Sequence, residues 1–170
     1  HPVATLETPQ LLVDLEVLDA NLRCMQQACH KAGKDLRVHF KSLKCGGLAQ
    51  YLARQGVKAF LCAKVNEAEV LVAAGQNDVL VANQIIGQVK LRRLARLAKQ
   101  ARISVCVDDP GNIREMGEVA RAEGITFDVL VEVDVGMNRC GVDPGQPVLD
   151  LARLIVAEKG LRFRGLQGYD

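Results

Sequence analysis

The sequence lacks the features that mark membrane, secreted and nucleic-acid-binding proteins. No apolar run approaches the length of a membrane span, so we expect no membrane contact. No charged-then-apolar segment with a small-residue cleavage site opens the chain, and we therefore expect a cytoplasmic protein. The formal net charge is only +2, which gives no reason to expect nucleic acid or an anionic membrane as a partner.

The cysteines lack the C-x-x-C spacing of a metal or redox motif. The six are scattered, at Cys24, Cys29, Cys45, Cys62, Cys106 and Cys140. Such scattering in apolar runs is typical of reduced core residues in a cytosolic protein. A metal cluster of Cys24, Cys29 and His30 is the alternative, but the same segment carries apolar residues at helical spacing. These are Leu18, Leu22, Met25 and Cys29. We therefore interpret the segment as the core stripe of a helix and predict no metal ligands.

Short apolar runs alternate with amphipathic segments, several of which end at a glycine. This alternation predicts repeated β-α units and a parallel sheet buried on both faces. The predicted strands span residues 36–40, 58–63, 78–83, 103–108, 127–135 and 161–169. The predicted helices span residues 16–32, 44–55, 66–74, 89–101, 111–123 and 147–159.

The length bounds how much of a barrel these units can form. An eight-stranded α/β barrel, or TIM barrel, takes about 250 residues. The chain has 170 residues, of which 49% are hydrophobic, and six predicted strands. We therefore expect a barrel interrupted after about six strands. Residues 1–35 would form a leading segment and the first helix, and residues 36–170 the partial barrel.

Lys41 follows the first predicted strand and precedes a pair of glycines. Parallel α/β proteins bind ligands at the carboxyl ends of their strands. A lysine there is a candidate nucleophile that forms a Schiff base with a carbonyl group, and the alternative is a surface lysine at the start of a loop. Polar residues lie at the carboxyl ends of the first, third, fourth, fifth and sixth predicted strands, which favours an active-site mouth. They are His39, Asn83, Gln84, Asp108, Asp109, Asp134, Asn138, Arg139, Gln167, Tyr169 and Asp170.

Short motifs run in order through nearly all of the chain. They are Thr8-Pro9 with Leu12-Val13-Asp14, His39-Phe40-Lys41, Cys62-Ala63-Lys64-Val65-Asn66-Glu67-Ala68-Glu69, Val81-Ala82-Asn83-Gln84, Val105-Cys106-Val107-Asp108-Asp109, Val131-Glu132-Val133-Asp134-Val135-Gly136 with Arg139-Cys140-Gly141, and Gly165-Leu166-Gln167-Gly168-Tyr169. In this order and spacing they resemble the fold-type III pyridoxal-phosphate enzymes, whose N-terminal domain is an alanine-racemase-type barrel. The resemblance is strongest to the branch of D-threonine aldolases and D-serine dehydratases.

The resemblance implies roles for five residues. Lys41 would carry pyridoxal 5'-phosphate covalently and act as the catalytic lysine. Arg139 and Tyr169 match family residues that line the cofactor, and His39 would shape the pocket of its ring. Gln84 matches a position at a strand end where relatives often carry an acidic or amide residue, and is included among the cofactor-binding residues.

The resemblance also implies a lyase that acts on D-3-hydroxy amino acids, a small-molecule substrate class. Aldol cleavage of D-threonine to glycine and an aldehyde is the leading expectation. The alternatives are a dehydratase of D-serine or 3-hydroxyaspartate, an amino-acid racemase, and a non-catalytic carrier of pyridoxal phosphate. Leu43 stands where many relatives have a second histidine that could assist proton transfer, which leaves aldolase and dehydratase open.

Two further expectations concern the metal and the assembly of the family. The family's C-terminal β-domain, absent here, supplies the ligands for a divalent metal, so we expect Mn, Mg or Zn bound by residues beyond 170. Family members are often homodimers, and a homodimer is therefore expected.

Overall fold

A computed structural model describes residues 2–170 and divides the chain into two compact units. The first unit ends at Leu36 and contains one long helix, α1 (Leu15–Lys31). Asp14 caps this helix, because its Oδ1 accepts the backbone N–H groups of residues 16 and 17 at 3.0 and 3.1 Å. Of the predicted core stripe, Leu22 is buried and Leu18 and Cys29 are half-buried, but Met25 is 51% exposed, so the prediction of a buried stripe is wrong at Met25.

The second unit, Arg37–Asp170, is a single six-stranded parallel sheet with helices between its strands. The strands are β1 (Arg37–His39), β2 (Ala59–Cys62), β3 (Asp78–Gln84), β4 (Arg102–Val107), β5 (Phe127–Val133) and β6 (Leu161–Gly168). The helices are α2 (Gly46–Arg54), α3 (Val65–Ala73), α4 (Gln88–Ala98), α5 (Pro110–Glu123) and α6 (Gln146–Ala157). Each strand pairs with its sequence neighbours, in the order β1 to β6, which confirms the predicted β-α alternation.

Burial follows the position of each strand in the sheet. Strands β4 and β5 are buried almost throughout, because each has a paired strand on both sides and helices against the sheet. Strand β6 instead alternates between half-buried and exposed residues along its whole length. The centre of the sheet therefore carries the core of this unit. In the described residues no helix is long and apolar enough to cross a membrane.

The chain leaves the first strand earlier than predicted. Strand β1 ends at His39, and Phe40–Ser42 form one turn of 3-10 helix. Phe40 is 1% exposed, and its carbonyl accepts the backbone N–H groups of Leu43 and Lys44. The turn closes because it buries the Phe40 ring and satisfies these two backbone donors. Lys44, at the end of the turn, has a positive φ of 45°. Lys41 lies in this turn, after the end of the strand as predicted.

The cysteines follow the core expectation only in part. All six are free, and Cys62 and Cys106 are fully buried in β2 and β4. Burial raises the pKa of the Cys62 thiol to about 12, which keeps it protonated. Cys24 and Cys45 are exposed, so the core interpretation is wrong for these two. No group of three metal-ligating side chains suited to a metal ion occurs among residues 2–170.

An ion-pair network joins the amino-terminal ends of the strands, opposite the predicted mouth. Asp128 of β5 is 1% exposed and accepts Arg102 Nε at 2.8 Å and Arg162 Nε at 2.6 Å. Asp78 accepts Arg37 at 2.8 Å and lies 3.6 Å from Arg102. These pairs connect β1, β3, β4, β5 and β6 at one end of the sheet.

Candidate active site

A cavity of about 400 Å³ lies at the carboxyl ends of the strands. It is lined by residues of the strands β1, β2, β3, β5 and β6 and of the segments that follow them. The lining residues are His39, Lys41, Leu61, Ala63, Ala82, Asn83, Glu132, Arg139, Cys140, Gln167 and Tyr169. This volume is within the range of about 300–1,000 Å³ for small-molecule sites, and the sequence predicted a site at this end of the sheet.

Lys41 and His39 are held on one wall of the cavity by the 3-10 turn. The Nδ1 atom of His39 accepts the backbone N–H of Lys41 at 3.2 Å, so this nitrogen carries no proton. Partial burial lowers the pKa of His39 and the charge of Lys41 lowers it further, while Glu67 and a hydrogen bond to the Leu61 backbone oppose them in part. The imidazole is therefore neutral near pH 7, with its proton on Nε2 as a donor.

Tyr169 brings two cations to the same aromatic ring. The Lys41 Nζ atom lies 5.6 Å from the centroid of the Tyr169 ring, and the Arg139 Cζ atom lies 4.8 Å from it. Both distances fall within cation–π range. The ring thus holds the lysine amine and the guanidinium at one mouth, although the three residues are far apart in sequence. Each of the three was predicted to bind the cofactor.

A tight loop after β5 delivers Arg139 and Cys140 to the cavity. The Oδ1 atom of Asp134 accepts the N–H groups of Gly136 and Asn138 at 2.9 and 3.0 Å. The loop returns at Val142, whose N–H donates to the Glu132 carbonyl at 3.0 Å. Asp134 therefore shapes the loop and is not itself part of the cavity wall.

Gln84 lies apart from the cavity of Lys41. Its Nε2 atom donates to Asp108 Oδ2 at 3.0 Å, and Asp108 also accepts the N–H of Gly141 at 2.9 Å. Gln84 lines a neighbouring depression of about 300 Å³, together with Lys64 and Lys90. Its cofactor-binding role stays a prediction, and the geometry gives it a part in fixing the loop that carries Arg139.

Two more residues line the cavity: Asn83, which was expected at the mouth without a binding role, and Glu132, which the sequence analysis did not select. Asn83 donates from Nδ2 to the Ala63 carbonyl at 2.9 Å and thereby ties the ends of β2 and β3 together. Glu132 is 5% exposed, and its Oε2 atom has no hydrogen-bond partner among the described residues. The signal for Glu132 was present in the sequence, since two carboxylates, Asp128 and Glu132, interrupt the apolar run of β5 and only Glu132 lies near its carboxyl end. Cys140 and Gln167 also line the cavity.

The domain is of the parallel α/β barrel type, and its mouth carries a lysine, an arginine and a neutral imidazole. Such a mouth is typical of enzyme domains that bind a cofactor with a carbonyl group, because the lysine amine can bond to the carbonyl carbon. Residues 13–170 match the alanine racemase N-terminal domain, and the chain belongs to this family. It is a family of pyridoxal-phosphate-dependent enzymes, as the sequence motifs indicated.

Similar proteins include aldolases and a dehydratase. The chain is 42% identical over 168 residues to a D-threonine aldolase of an Arthrobacter species, covering 99% of this chain and 44% of that protein. The crystal structure of D-threonine aldolase from Filomicrobium marinum superposes with a TM-score of 0.95 at 45% identity, covering 99% of this chain and 46% of that one. D-threo-3-hydroxyaspartate dehydratase from Delftia sp. HT23 superposes with a TM-score of 0.87 at 28% identity, covering 96% and 44%. The chain thus spans less than half the length of these relatives.

Proposed function

We propose that this chain is the cofactor-binding barrel of a pyridoxal-phosphate-dependent lyase that cleaves D-3-hydroxy amino acids, with D-threonine as the leading substrate. The observation that carries the proposal is the meeting of Lys41, Arg139 and Tyr169 at one cavity. The similarity to D-threonine aldolases over 99% of the chain supports it.

The residues around the cavity fit pyridoxal 5'-phosphate on three counts. The primary amine of Lys41 is exposed toward a space of about 400 Å³, where it can bond covalently to an aldehyde carbon. Arg139 offers guanidinium donors for the acceptor atoms of the cofactor's ring, and the neutral His39 lines the same cavity. The free Oε2 atom of Glu132 is a buried polar atom still without a partner.

When bound, pyridoxal phosphate withdraws electrons from the bonds at the substrate's α-carbon. The described residues bind and orient around that chemistry. Lys41 supplies the amine for covalent attachment, and Tyr169 holds this amine near the guanidinium of Arg139. The Nδ1 atom of His39 accepts the backbone N–H of Lys41, which fixes the orientation of the imidazole beside the lysine. Retro-aldol cleavage breaks the Cα–Cβ bond after the β-hydroxyl loses its proton, and yields glycine and an aldehyde.

The test is an assay of the protein at its natural full length. Incubation with pyridoxal phosphate and D-threonine should release glycine and acetaldehyde in equal amounts, and L-threonine should release neither. Lys41→Ala should abolish release, while Lys90→Ala, a lysine of the neighbouring depression, serves as a surface-charge control. Absence of glycine from D-threonine and from other D-3-hydroxy amino acids contradicts the proposal.

Dehydration is the second candidate, and the structural similarity to the Delftia dehydratase favours it. A dehydratase loses the α-proton and then the β-hydroxyl, and releases ammonia and a 2-oxo acid. The same incubations, repeated with D-serine and D-threo-3-hydroxyaspartate, separate the two reactions. Ammonia and a 2-oxo acid in place of glycine would assign the protein as a dehydratase.

The remaining parts of the proposal concern the metal, the assembly and the compartment. We propose that Mn, Mg or Zn assists the reaction through ligands outside the residues described here, that the protein is a homodimer, and that it is cytoplasmic. Treatment with EDTA should remove activity while pyridoxal phosphate stays bound to Lys41, and added metal should restore it. Equal activity before and after EDTA argues against the metal.

A further inference from the structure

Glu132 carries an unexplained polar atom in the wall of the cavity. The residue is 5% exposed, and Oε2 has no hydrogen-bond partner in residues 2–170. Buried polar atoms of native proteins are nearly always paired, so such an atom requires an explanation. An apolar side chain would remove the cost of burying it. The presence of a carboxyl at this position therefore points to a hydrogen-bond partner that the protein chain does not supply.

The strand positions Glu132 so that its carboxyl faces the cavity. In the β5–β6 ladder it lies in register with Gln167, which lines the same cavity. Registered neighbours in a parallel sheet direct their side chains to the same face. The backbone of Glu132 is also anchored, because its carbonyl accepts the N–H of Val142. The strand therefore holds the residue at the face of the sheet that lines the cavity.

The charged and titratable neighbours of Glu132 decide its protonation. Burial raises the pKa of Glu132, the Cys106 thiol lowers it by hydrogen bonding, the charge of Asp108 raises it, and the charge of Arg139 lowers it. The net direction is upward, which favours the neutral carboxyl. A neutral carboxyl has an O–H donor, whereas a carboxylate only accepts.

We propose that Glu132 is a ligand-binding residue of this cavity, and that Oε2 donates a hydrogen bond to an acceptor atom on the ring of the bound pyridoxal cofactor. The inference rests on the proposed function and adds to it a further contact at the same site. The carboxyl would share the cofactor with Lys41 and Arg139, the cationic groups of the cavity. Glu132 would contribute an uncharged hydrogen-bond donor, which neither Lys41 nor Arg139 can provide.

The test uses the full-length protein and pyridoxamine 5'-phosphate, which has no aldehyde and therefore binds without a covalent bond to Lys41. Its dissociation constant is measured by fluorescence titration for the wild type, Glu132→Gln and Glu132→Leu. We expect Glu132→Leu to bind about tenfold more weakly, as for the loss of one buried hydrogen bond. Glu132→Gln should stay within about threefold of the wild type, because its amide N–H replaces the donor.

Stability without ligand separates a binding role from a structural one. Glu132→Leu removes a buried atom that has no partner, so its melting temperature should equal or exceed that of the wild type. Asp128→Asn on the same strand is the matched control. Asp128 is held by arginines at the opposite end of the sheet, so this change should lower the melting temperature and leave the affinity unchanged.

The affinity should also depend on pH in a way that Glu132→Gln removes. The neutral form donates, so wild-type affinity should fall as the pH rises through the raised pKa of Glu132, and this fall should be missing in the variant. Cys106, Asp108 and Arg139 face the carboxyl in both proteins and serve as the common background.

Three results would overturn the inference. Wild-type affinity in Glu132→Leu means that no contact exists, and equal weakening in the leucine and glutamine variants means that the carboxyl does not donate. If the wild type cleaves D-threonine while either result is found, the inference alone fails. If the wild type binds no pyridoxamine 5'-phosphate and cleaves no substrate, the proposed function and the inference fail together.

Discussion

At the scale of single residues, the imidazole of His39 is set by its surroundings to stay neutral. Its ordinary pKa of 6.5 is lowered by burial and by Lys41, so the protonated form is disfavoured in the folded protein. The sign follows from linkage: this penalty is absent above pH 6.5 and grows as the pH falls from 6.5 toward the lowered pKa. We expect NMR titration to give His39 a pKa below 6.5. Loss of stability on acidification through this window should be smaller in His39→Asn, and an equal loss in both proteins would contradict the assignment.

Tyr169 tests whether the aromatic ring or its hydroxyl organises the mouth. The ring contacts both Lys41 and Arg139 within cation–π range, and each exposed contact of this kind contributes about 0.5–1 kcal/mol. We expect Tyr169→Ala to weaken binding of pyridoxamine 5'-phosphate by about fivefold, and Tyr169→Phe to change it by less than about twofold. Equal weakening in both variants would show that the hydroxyl, not the ring, is the important group.

At the scale of elements, the loop between β5 and α6 depends on Gly141. This glycine has a φ of +99°, and a Cβ atom there would lie 2.7 Å from the Asp134 backbone nitrogen. We expect Gly141→Ala to destabilise the protein by about 3 kcal/mol or more, from backbone strain plus the clash, and to weaken cofactor binding through Arg139. Gly136→Ala is the matched control, because its φ is +120° but its Cβ would meet nothing within 4 Å. Equal effects in urea unfolding would mean that the close approach is unimportant.

The ion-pair network at the opposite end of the sheet should contribute to stability alone. Burial by itself would raise the pKa of Asp128, but hydrogen bonds from Arg162 and Arg102 outweigh it and hold the pKa below its usual range. We expect Asp128→Asn to cost about 1.5–3 kcal/mol, because it removes charge-assisted hydrogen bonds between a buried carboxylate and arginines that are themselves partly exposed. Asp150→Asn breaks an exposed pair with Arg153 and should cost less than about 1 kcal/mol.

The pH dependence of this network has a defined sign. A carboxyl with a lowered folded-state pKa contributes stability that is present above its unfolded pKa, about 3.9, and is lost as the pH falls through the lowered value. Acid unfolding of the wild type should therefore be steeper below pH 4 than that of Asp128→Asn. Coincident acid-unfolding curves, offset only by a constant, would contradict the role of Asp128.

At the scale of the whole molecule, periodicity and glycine positions were sufficient to predict six strands in sequential parallel order, and each helix to within about three residues at its ends. Periodicity and glycine positions depend only on residues close together in the sequence. The same is true of the strand end that indicated Lys41. The 3-10 turn at Phe40 was missed, because it depends on a buried ring and on a histidine that accepts a backbone hydrogen bond. The orphaned oxygen of Glu132 was missed because pairing is a property of three-dimensional neighbours.

The same distinction explains the outcome for the site residues. His39, Lys41, Arg139 and Tyr169 could be selected by their motifs, and the fold brings all four to one cavity. Gln84 was selected by its position at a strand end, but β3 is irregular between Val81 and Gln84. Strand alternation cannot predict the direction of a side chain across such a register shift. Its amide points instead to Asp108, a contact that no sequence pattern reveals.

The central claim, that Lys41 carries pyridoxal phosphate, is tested most directly by chemical trapping. The full-length protein is mixed with pyridoxal 5'-phosphate, reduced with borohydride, digested and examined by peptide mass spectrometry. The account predicts one phosphopyridoxyl adduct, on Lys41, and none on the neighbouring Lys44 or Lys64. Adducts spread over several lysines, or none on Lys41, would contradict it.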